Sequence, residues 1–300
     1  MYDAIIAGGG PAGLNAALVL GRCRRKVLLC DEGKPRNRVS RGVNGFITRE
    51  NILPLELRRI AREELTEYPT VEVVDGIAIE DVNFLEAGAF EAVLANGRRA
   101  QGRKMLLATG VEDNLPDIPG FAELYGHGVY NCPYCDGWEE RDRPLAVYGP
   151  DDNGKVFALQ MTVWSKDLVL CTDGPSNLKD EDRARLERHG IVIREDRVLR
   201  LEGDDERLHM IHFDKGHPLP REALFFITGA IPNCAIASKL GCELTEKGVV
   251  RTVGNEQTNV PGLFVAGDAS KRVQFAVVAA AEGALAAFEI NKELCEEDLR

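Results

Sequence analysis

The feature that most constrains the fold of this chain is a glycine-rich loop close to its start. Residues 3–7 are mostly apolar and are predicted as a strand, and Gly8-x-Gly10-x-x-Gly13 follows directly. In this spacing the first glycine permits a tight turn, the second lets the backbone approach a diphosphate, and the third allows close packing of helix on strand. Strong helix formers follow from residue 14. The loop therefore predicts a strand–turn–helix unit that binds a dinucleotide at the helix N-terminus.

The next apolar run supports this interpretation. Val27-Leu28-Leu29-Cys30 is predicted as the second strand, and it ends at Asp31 and Glu32. A carboxylate at the end of this strand can accept hydrogen bonds from the ribose hydroxyls of a dinucleotide.

A second unit of the same kind occupies the middle of the chain. Residues 145–148 are predicted as a strand, Gly149-Pro150 as a turn, residues 155–164 as a helix and residues 168–170 as the next strand. An Ala-rich helix from about residue 273 to 291 closes the chain, with a frayed end from 293 to 300. Alternation of strands and helices predicts an α/β fold of two doubly wound, Rossmann-like domains.

Composition narrows the class of protein further. The 300 residues include 37 Lys+Arg and 48 Asp+Glu, a net charge of −11, which argues against a nucleic-acid-binding protein. No window approaches ~18 consecutive apolar residues, so no membrane span is expected. The first residues lack the pattern of a signal peptide. The sequence predicts a cytoplasmic location.

Two of the eight cysteines, Cys132 and Cys135, form the one close pair in the sequence. In a reducing compartment such a pair is more often catalytic or metal-binding than structural. A zinc site needs four ligands, and no second C-x-x-C or His pair accompanies this one. The pair therefore predicts a redox-active disulfide and no metal site. Asp136 follows directly and is a candidate for general acid–base catalysis or for capping a helix.

The motifs taken together resemble a known family. Gly8–Gly13 with Pro11-Ala12, Leu107-Ala108-Thr109-Gly110 and Gly262-Leu263-Phe264-Val265-Ala266-Gly267-Asp268 resemble the two-dinucleotide flavoprotein disulfide reductases. Cys132-Pro133-Tyr134-Cys135-Asp136-Gly137 is similar to the low-molecular-weight thioredoxin reductase type. The resemblance implies FAD in the first site, Cys135 on the flavin side, Cys132 as the interchange thiol, and a homodimer.

The stretch 34–46 is similar to a branch of that family that includes the gliotoxin-type dithiol oxidases, in which it wraps the FAD. Arg36 and Asn37 are its candidate contacts, and the resemblance places Gly267-Asp268 at the ribityl chain or its phosphate and the helix near Gln274 at the flavin. The residues expected to contact FAD are Gly8, Gly10, Pro11, Ala12, Gly13, Asp31, Glu32, Arg36, Asn37, Ala108, Thr109, Gly110, Gly267, Asp268, Gln274 and Phe275.

The second nucleotide unit departs from the family pattern. Where a nicotinamide-binding loop has its second glycine, this chain has Asp151, whose side chain and charge oppose a diphosphate. The strand at 168–170 is followed by Cys171-Thr172-Asp173-Gly174-Pro175 rather than by an arginine motif for a 2′-phosphate. We therefore expect lost or weak NADPH binding, with a rearranged but working site as the alternative.

The sequence thus predicts an FAD-binding domain at 1–117 and 243–300 and an inserted NAD(P)-binding-like domain at 118–242 that carries the C-x-x-C. The expected function is an FAD-dependent thiol-disulfide oxidoreductase acting on a thioredoxin-like protein or a small dithiol or disulfide. The alternatives are a small-molecule dithiol oxidase and a non-catalytic flavin redox sensor. The electron donor stays open between NADPH, a ferredoxin-type protein, a second flavin and the substrate dithiol; the basic cluster at 22–26 is a candidate surface for an acidic partner.

Overall fold

The computed structural model describes residues 1–85, 88–150, 152–270 and 273–300. Up to residue 113 its elements are β1 (Tyr2–Ala7), α1 (Pro11–Arg22), β2 (Val27–Asp31), a 3-10 turn (Arg36–Val39), α2 (Pro54–Leu65), β3 (Val71–Asp75), β4 (Ile79–Phe84), β5 (Phe90–Leu94), β6 (Arg99–Leu107) and β7 (Val111–Asp113). The middle of the chain forms β8 (Val129–Tyr130), α3 (Pro133–Asp136), β9 (Leu145–Tyr148), α4 (Asp152–Met161), β10 (Leu168–Cys171), α5 (Asp180–Arg188), β11 (Ile191–Arg194), β12 (Val198–Gly203), β13 (Leu208–Phe213), β14 (Leu219–Pro220) and β15 (Ala223–Phe226). The last elements are β16 (Ala230–Pro232), α6 (Ala235–Lys239), β17 (Leu263–Val265), a 3-10 turn (Gly267–Ala269) and α7 (Ala276–Asp298).

The chain divides into two units. The first, here called the glycine-loop unit, comprises residues 1–38, 46–112 and 230–300, and the second, the disulfide unit, comprises residues 39–45 and 113–229. The short segment 39–45 therefore belongs with the disulfide unit although it lies between two parts of the other. The functional domain limits expected from the sequence stay a prediction.

The glycine-loop unit is built on one sheet with strand order β3-β2-β1-β6-β5-β4, and β17 pairs with β6. The pairs among β3, β2, β1, β6 and β17 are parallel, while β4 and β5 form an antiparallel edge. Small residues let α1 and α7 approach closely on one face of this sheet: a Cβ on Gly283 would overlap the carbonyl of Ala12. This packing fixes the position of the glycine loop at the start of α1.

The disulfide unit contains a five-stranded parallel sheet of order β11-β10-β9-β15-β8 and an antiparallel sheet of β12, β13 and β14. Its strands β9, β10 and β15 are buried along their whole length, as expected for a parallel sheet covered on both faces. The two parallel sheets confirm the prediction of an α/β fold with two doubly wound units.

The end of the chain corrects one expectation. The sequence predicts a helix to residue 291 and a frayed tail, but α7 continues to Asp298. The buried Lys104 ammonium lies 2.6 Å from the Glu293 carboxylate and 2.7 Å from that of Glu297, and Arg103 pairs with Glu297 at 2.8 Å. These ion pairs connect the last turns of α7 to β6. Helix propensity depends only on the local sequence, so it does not predict this long-range stabilisation.

Candidate active site

Backbone packing requires the first and third glycines of the loop. Gly8 has a φ of +107°, and a Cβ there would overlap the carbonyl of Ala108 at the end of β6. A Cβ on Gly13 would overlap the carbonyl oxygen of Gly8. The turn from β1 to α1 therefore has no room for larger residues at these two positions.

The second glycine has a different surrounding. Gly10 is the N-cap of α1, Pro11 follows at the first helical position, and no side chain caps the helix. A Cβ on Gly10 would meet no atom of the described part of the chain within 4 Å. The space in front of this helix end is open, and the N–H groups of a first helical turn have no partners within the helix. The loop therefore fits the diphosphate of a dinucleotide.

The two candidate ribose carboxylates differ sharply. Asp31 is 7% exposed, and its Oδ2 accepts hydrogen bonds from the guanidinium groups of Arg58 and Arg62. The Glu32 carboxylate is exposed and pairs with the Lys34 ammonium. Asp31 thus belongs to a buried ion-pair network, and sequence reasoning missed its partner Arg58, which is itself 4% exposed.

Three expected FAD-contacting residues from distant parts of the sequence meet in the glycine-loop unit. The Arg36 guanidinium donates to Oδ2 of Asp268 at 2.9 Å and to Oε1 of Gln274 at 2.6 Å. Asn37 lies beside Arg36 in the 3-10 turn and is half-buried, and Phe275 is the N-cap of α7. The cluster joins the stretch after β2 to the segment before α7.

A buried carboxylate that the sequence analysis missed supports the turn after β17. Oε2 of Glu282, which is 6% exposed, accepts a hydrogen bond of 2.8 Å from the backbone N–H of Gly267. Gly267 has a φ of +79°, and its α-carbon faces Ala12 at the start of α1. An isolated acidic residue within the Ala-rich helical run is the signal that could have indicated it.

The segment Ala108-Thr109-Gly110 contacts two parts of the glycine-loop unit, the glycine loop itself and the chain at Asn233. Ala108 is buried against the glycine loop, whereas Thr109 Oγ1 donates to the carbonyl of Asn233 at 2.7 Å. The N–H of Asn233 donates in turn to the carbonyl of Gly110 at 3.0 Å. Thr109 and Gly110 follow β6, the strand that supports the glycine loop. Their hydrogen bonds also hold the chain at Asn233, where it re-enters the glycine-loop unit.

Cys132 and Cys135 form a disulfide in the disulfide unit, with Cα atoms 5.2 Å apart. Pro133 starts the short helix α3, and the N–H groups of Cys135 and Asp136 both donate to the carbonyl of Cys132 at 3.1 Å. A helical turn between the two cysteines brings their sulfurs together. Cys132, Cys135 and Asp136, the three expected catalytic residues, thus share one turn of chain.

Asn44, in segment 39–45, supports this turn from outside the helix. Its Nδ2 donates to the carbonyl of Cys135 at 2.7 Å, and its buried Oδ1 has no hydrogen-bond partner among the residues that the structure describes. Asn44 lies in the stretch 34–46 that is expected near FAD from the sequence. Nothing in the sequence indicates its contact with the redox turn.

The carboxyl group of Asp136 holds its proton unusually well. Burial, together with the nearby charges of Glu139 and Glu140, raises its pKa to about 7. The rings of Tyr134 and Trp138 beside the disulfide are 66% and 67% exposed, and the Arg141 guanidinium lies 3.9 Å from the centre of the Trp138 ring. The turn therefore combines a disulfide, a carboxyl group that titrates near neutrality and exposed aromatic rings.

The second glycine loop forms a tight turn between β9 and α4. A Cβ on Gly149 or on Gly154 would overlap the other glycine, so the tight strand-to-helix turn is present. Asp151, on which the expectation of obstruction rests, lies outside the described residues. After β10, Asp173 accepts hydrogen bonds from the Tyr148 hydroxyl at 2.7 Å and from the N–H of Val198 at 2.8 Å.

The Arg183 guanidinium, on α5, is paired with a carboxylate. Arg183 donates to Oε1 of Glu195 at 2.7 Å, and both the N–H and the hydroxyl of Ser176 donate to the same oxygen. These bonds lower the pKa of Glu195 to about 2, so it is ionised at neutral pH. A carboxylate thus holds the Arg183 guanidinium, which lies on α5.

Comparison with known proteins decides the family. A model of the family described as pyridine nucleotide-disulphide oxidoreductase matches residues 2–283. The chain belongs to this family. Thioredoxin reductase aclD of Aspergillus oryzae is 31% identical over 310 aligned residues, covering 99% of this chain and 98% of the relative. Thioredoxin reductase tcpT of Claviceps purpurea is 31% identical, covering 89% and 86%.

Solved structures agree. The crystal structure of HlmI superposes with a TM-score of 0.95 at 35% identity, covering 99% of this chain and 94% of that one. A Bacillus anthracis protein described as a thioredoxin reductase, TrxB, superposes with a TM-score of 0.94 at 31% identity, covering 99% and 100%. These findings confirm a thioredoxin reductase-like disulfide oxidoreductase.

FAD is the cofactor of this family, and the open end of α1 at Gly10 fits its diphosphate. No helix among the described residues is long and apolar enough to cross a membrane. Nor do these residues gather three or more His, Cys, Asp or Glu side chains as a metal site. The cytoplasmic location and the homodimer stay predictions.

Proposed function

We propose that this protein transfers two electrons between FAD in the glycine-loop unit and the Cys132–Cys135 pair, and that the pair exchanges them with a thioredoxin-like protein or a small dithiol or disulfide. The observation that carries the proposal is the disulfide closed over one helical turn beside Asp136. When bound, FAD supplies the two-electron chemistry, and the residues of the chain supply sulfur exchange and proton transfer.

In the reductive direction, the reduced pair acts by thiol–disulfide exchange. The Cys132 thiolate attacks one sulfur of the partner disulfide, a mixed disulfide forms, and the other partner sulfur leaves as a thiolate. Cys135 then attacks Cys132, which restores the protein disulfide and releases the partner as a dithiol. Asp136, when protonated, can supply the proton to a leaving thiolate; in the oxidative direction its carboxylate can take that proton.

We further propose that the cofactor is held by the expected residues around the glycine loop and the Arg36 cluster. Gly10, Pro11 and Ala12 lie at the helix end that suits the diphosphate, and Arg36, Asp268 and Gln274 form one connected polar group. Between the two ribose candidates, the exposed Glu32 is the better placed acceptor, because the Oδ2 of Asp31 is held by two arginines.

NADPH is expected to be a poor electron donor. Asp173 already accepts a hydrogen bond from the Tyr148 hydroxyl and Arg183 is already paired with Glu195, so these contacts would have to break before either side chain could bind a ribose or a 2′-phosphate. Anaerobic titration of the flavin spectrum with NADPH, NADH and reduced ferredoxin, in parallel, tests this. We expect little bleaching by either nicotinamide at micromolar concentrations. Full and fast bleaching by NADPH would contradict the proposal of a degenerate second nucleotide site.

The pH dependence of the exchange rate should follow the protonation of the Asp136 carboxyl group. If Asp136 acts as an acid, the rate falls as pH rises through about 7, where its carboxyl loses the proton; if it acts as a base, the rate rises through the same pH. Asp136→Asn should remove this limb and slow exchange by ~10²-fold or more. The measurement is the rate of partner reduction or oxidation from pH 5 to 9, roughly spanning that pKa. An unchanged limb in Asp136→Asn would show that another group is responsible.

The exposed rings favour a second candidate, a small-molecule dithiol oxidase. Tyr134 and Trp138 flank the disulfide and offer apolar surface to a small dithiol. In this direction the substrate dithiol reduces the protein disulfide and oxygen is the final acceptor. A small dithiol that bleaches the flavin without air and yields hydrogen peroxide in air would select this candidate over the reductase.

A further inference from the structure

An acidic run follows the redox disulfide on the same turn of chain. Glu139 and Glu140 come three and four residues after Asp136, and the N–H of Glu140 donates to the carbonyl of Asp136 at 3.3 Å. This bond closes one further turn of chain after α3, which itself ends at Asp136. Residues three and four apart on a helical turn are neighbours, and like charges at that spacing repel. The two glutamates therefore lie within one turn of Asp136, Glu140 buried and Glu139 exposed.

The position of Glu140 is fixed by its surroundings. Glu140 is only 7% exposed. Its two carboxyl oxygens accept hydrogen bonds from Arg143 Nη1 at 2.7 Å and from the Tyr130 hydroxyl at 3.1 Å. Burial, and then the charge of Glu140, raise the pKa of Tyr130, so the phenol stays a donor. Glu140 is thus a buried carboxyl group, paired with Arg143, one turn from Asp136.

Asp136 has no compensating cation among the residues that the structure describes. Arg143 is held by Glu140, and Arg41, in segment 39–45, donates to the carbonyl of Asp205. The other charged or titratable groups described near the turn are Tyr130 on β8, Glu139, whose side chain is exposed, and Arg141, whose guanidinium lies over the Trp138 ring. The two glutamates are therefore the charges that act on Asp136 most directly.

We propose that Glu139 and Glu140 are positioning residues for Asp136: their negative charges, one turn away, favour the protonated form of its carboxyl group. This inference rests on the proposed function, in which Asp136 passes a proton to or from a sulfur of the redox pair. A carboxyl group works best as proton donor and acceptor when it titrates near the working pH. The raised pKa of Asp136, caused first by burial and then by Glu139 and Glu140, agrees with this role.

The test measures the proton on Asp136 directly as well as the rate. Infrared difference spectra of the FAD-loaded protein, recorded across pH, show the stretch of a protonated carboxyl group, and Asp136→Asn assigns the band. Glu139→Gln and Glu140→Gln remove one charge each while keeping side-chain size and one acceptor oxygen. Glu187→Gln, on the exposed side of α5, is the matched control for the change in net charge.

We expect Glu140→Gln to lower the midpoint of the Asp136 band and of the rate limb by roughly one pH unit. Glu139→Gln should lower both at low ionic strength, and its effect should disappear near 1 M salt, where the Debye length is about 3 Å. The effect of Glu140→Gln should persist there, because the charge it removes is buried. Glu187→Gln should leave both midpoints where they are.

The outcomes separate the two claims. If Asp136→Asn removes the band and the limb but neither glutamine variant moves them, the positioning role of the glutamates is wrong and the role of Asp136 stands. If Asp136→Asn leaves the rate limb in place, the proposed function of Asp136 is wrong. Glu139→Gln alters only an exposed side chain, so it still gives a result if Glu140→Gln fails to fold.

Discussion

Cys132→Ser is expected to lose thiol–disulfide exchange by ~10³-fold or more while the protein keeps its FAD. Losses of this size or larger follow removal of a catalytic nucleophile. The disulfide lies in the disulfide unit, and the glycine loop and its supporting residues lie in the other, so the substitution leaves the residues proposed to hold FAD unchanged.

The matched control is Cys23→Ser, which replaces an exposed free cysteine of the glycine-loop unit. This variant should exchange at the normal rate. Turnover with a thioredoxin-type disulfide and with a small dithiol, measured beside flavin content, distinguishes the two. Normal turnover by Cys132→Ser would remove Cys132 as the interchange thiol.

A methyl group added at Gly10 should weaken FAD binding, whereas one added at Gly13 should destabilise the protein itself. Gly10→Ala adds a Cβ that meets no atom of the residues that the structure describes, so the apoprotein should lose at most about 1 kcal/mol of stability. The same methyl enters the space proposed for the FAD diphosphate, and overlap there should cost about 1–3 kcal/mol. We therefore expect FAD affinity to fall about 5- to 150-fold.

Gly13→Ala instead places its Cβ against the Gly8 carbonyl inside the protein. This overlap should destabilise the apoprotein by about 1–3 kcal/mol or more, whether FAD is present or not. Denaturant unfolding of both apoproteins and flavin-binding titrations check the pair. If Gly10→Ala binds FAD as tightly as the unaltered protein, the diphosphate does not lie at the N-terminus of α1.

The sequence predicts the glycine loop well because its cause is local. Gly8 and Gly13 are needed by a turn formed within six residues, and the spacing alone carries that requirement. The C-x-x-C disulfide is local in the same sense, because one helical turn joins Cys132 to Cys135.

Long-range contacts limit the rest. Asp31 and Glu32 are equivalent in sequence, and only the arrival of Arg58 and Arg62 from α2 separates a buried ion-pair residue from an exposed one. The frayed tail expected after residue 292 is instead helical through 298, because buried Lys104 on β6 pairs with Glu293 and Glu297.

The supporting residues of the site show the same limit. Asn44 and Glu282 each bond a backbone group far away in sequence, the carbonyl of Cys135 and the N–H of Gly267. No periodicity or motif marks such a contact. An acidic residue on the buried face of an Ala-rich helix is a usable signal for Glu282, while Asn44 has none in the sequence.

The central claim is that electrons pass between FAD and the Cys132–Cys135 pair. The most direct measurement reduces the flavin of the FAD-loaded protein by light without air, and then labels and counts the free thiols at the two positions by mass spectrometry. We expect label to appear on both cysteines as the flavin colour returns. A flavin that stays reduced beside an intact disulfide would contradict it.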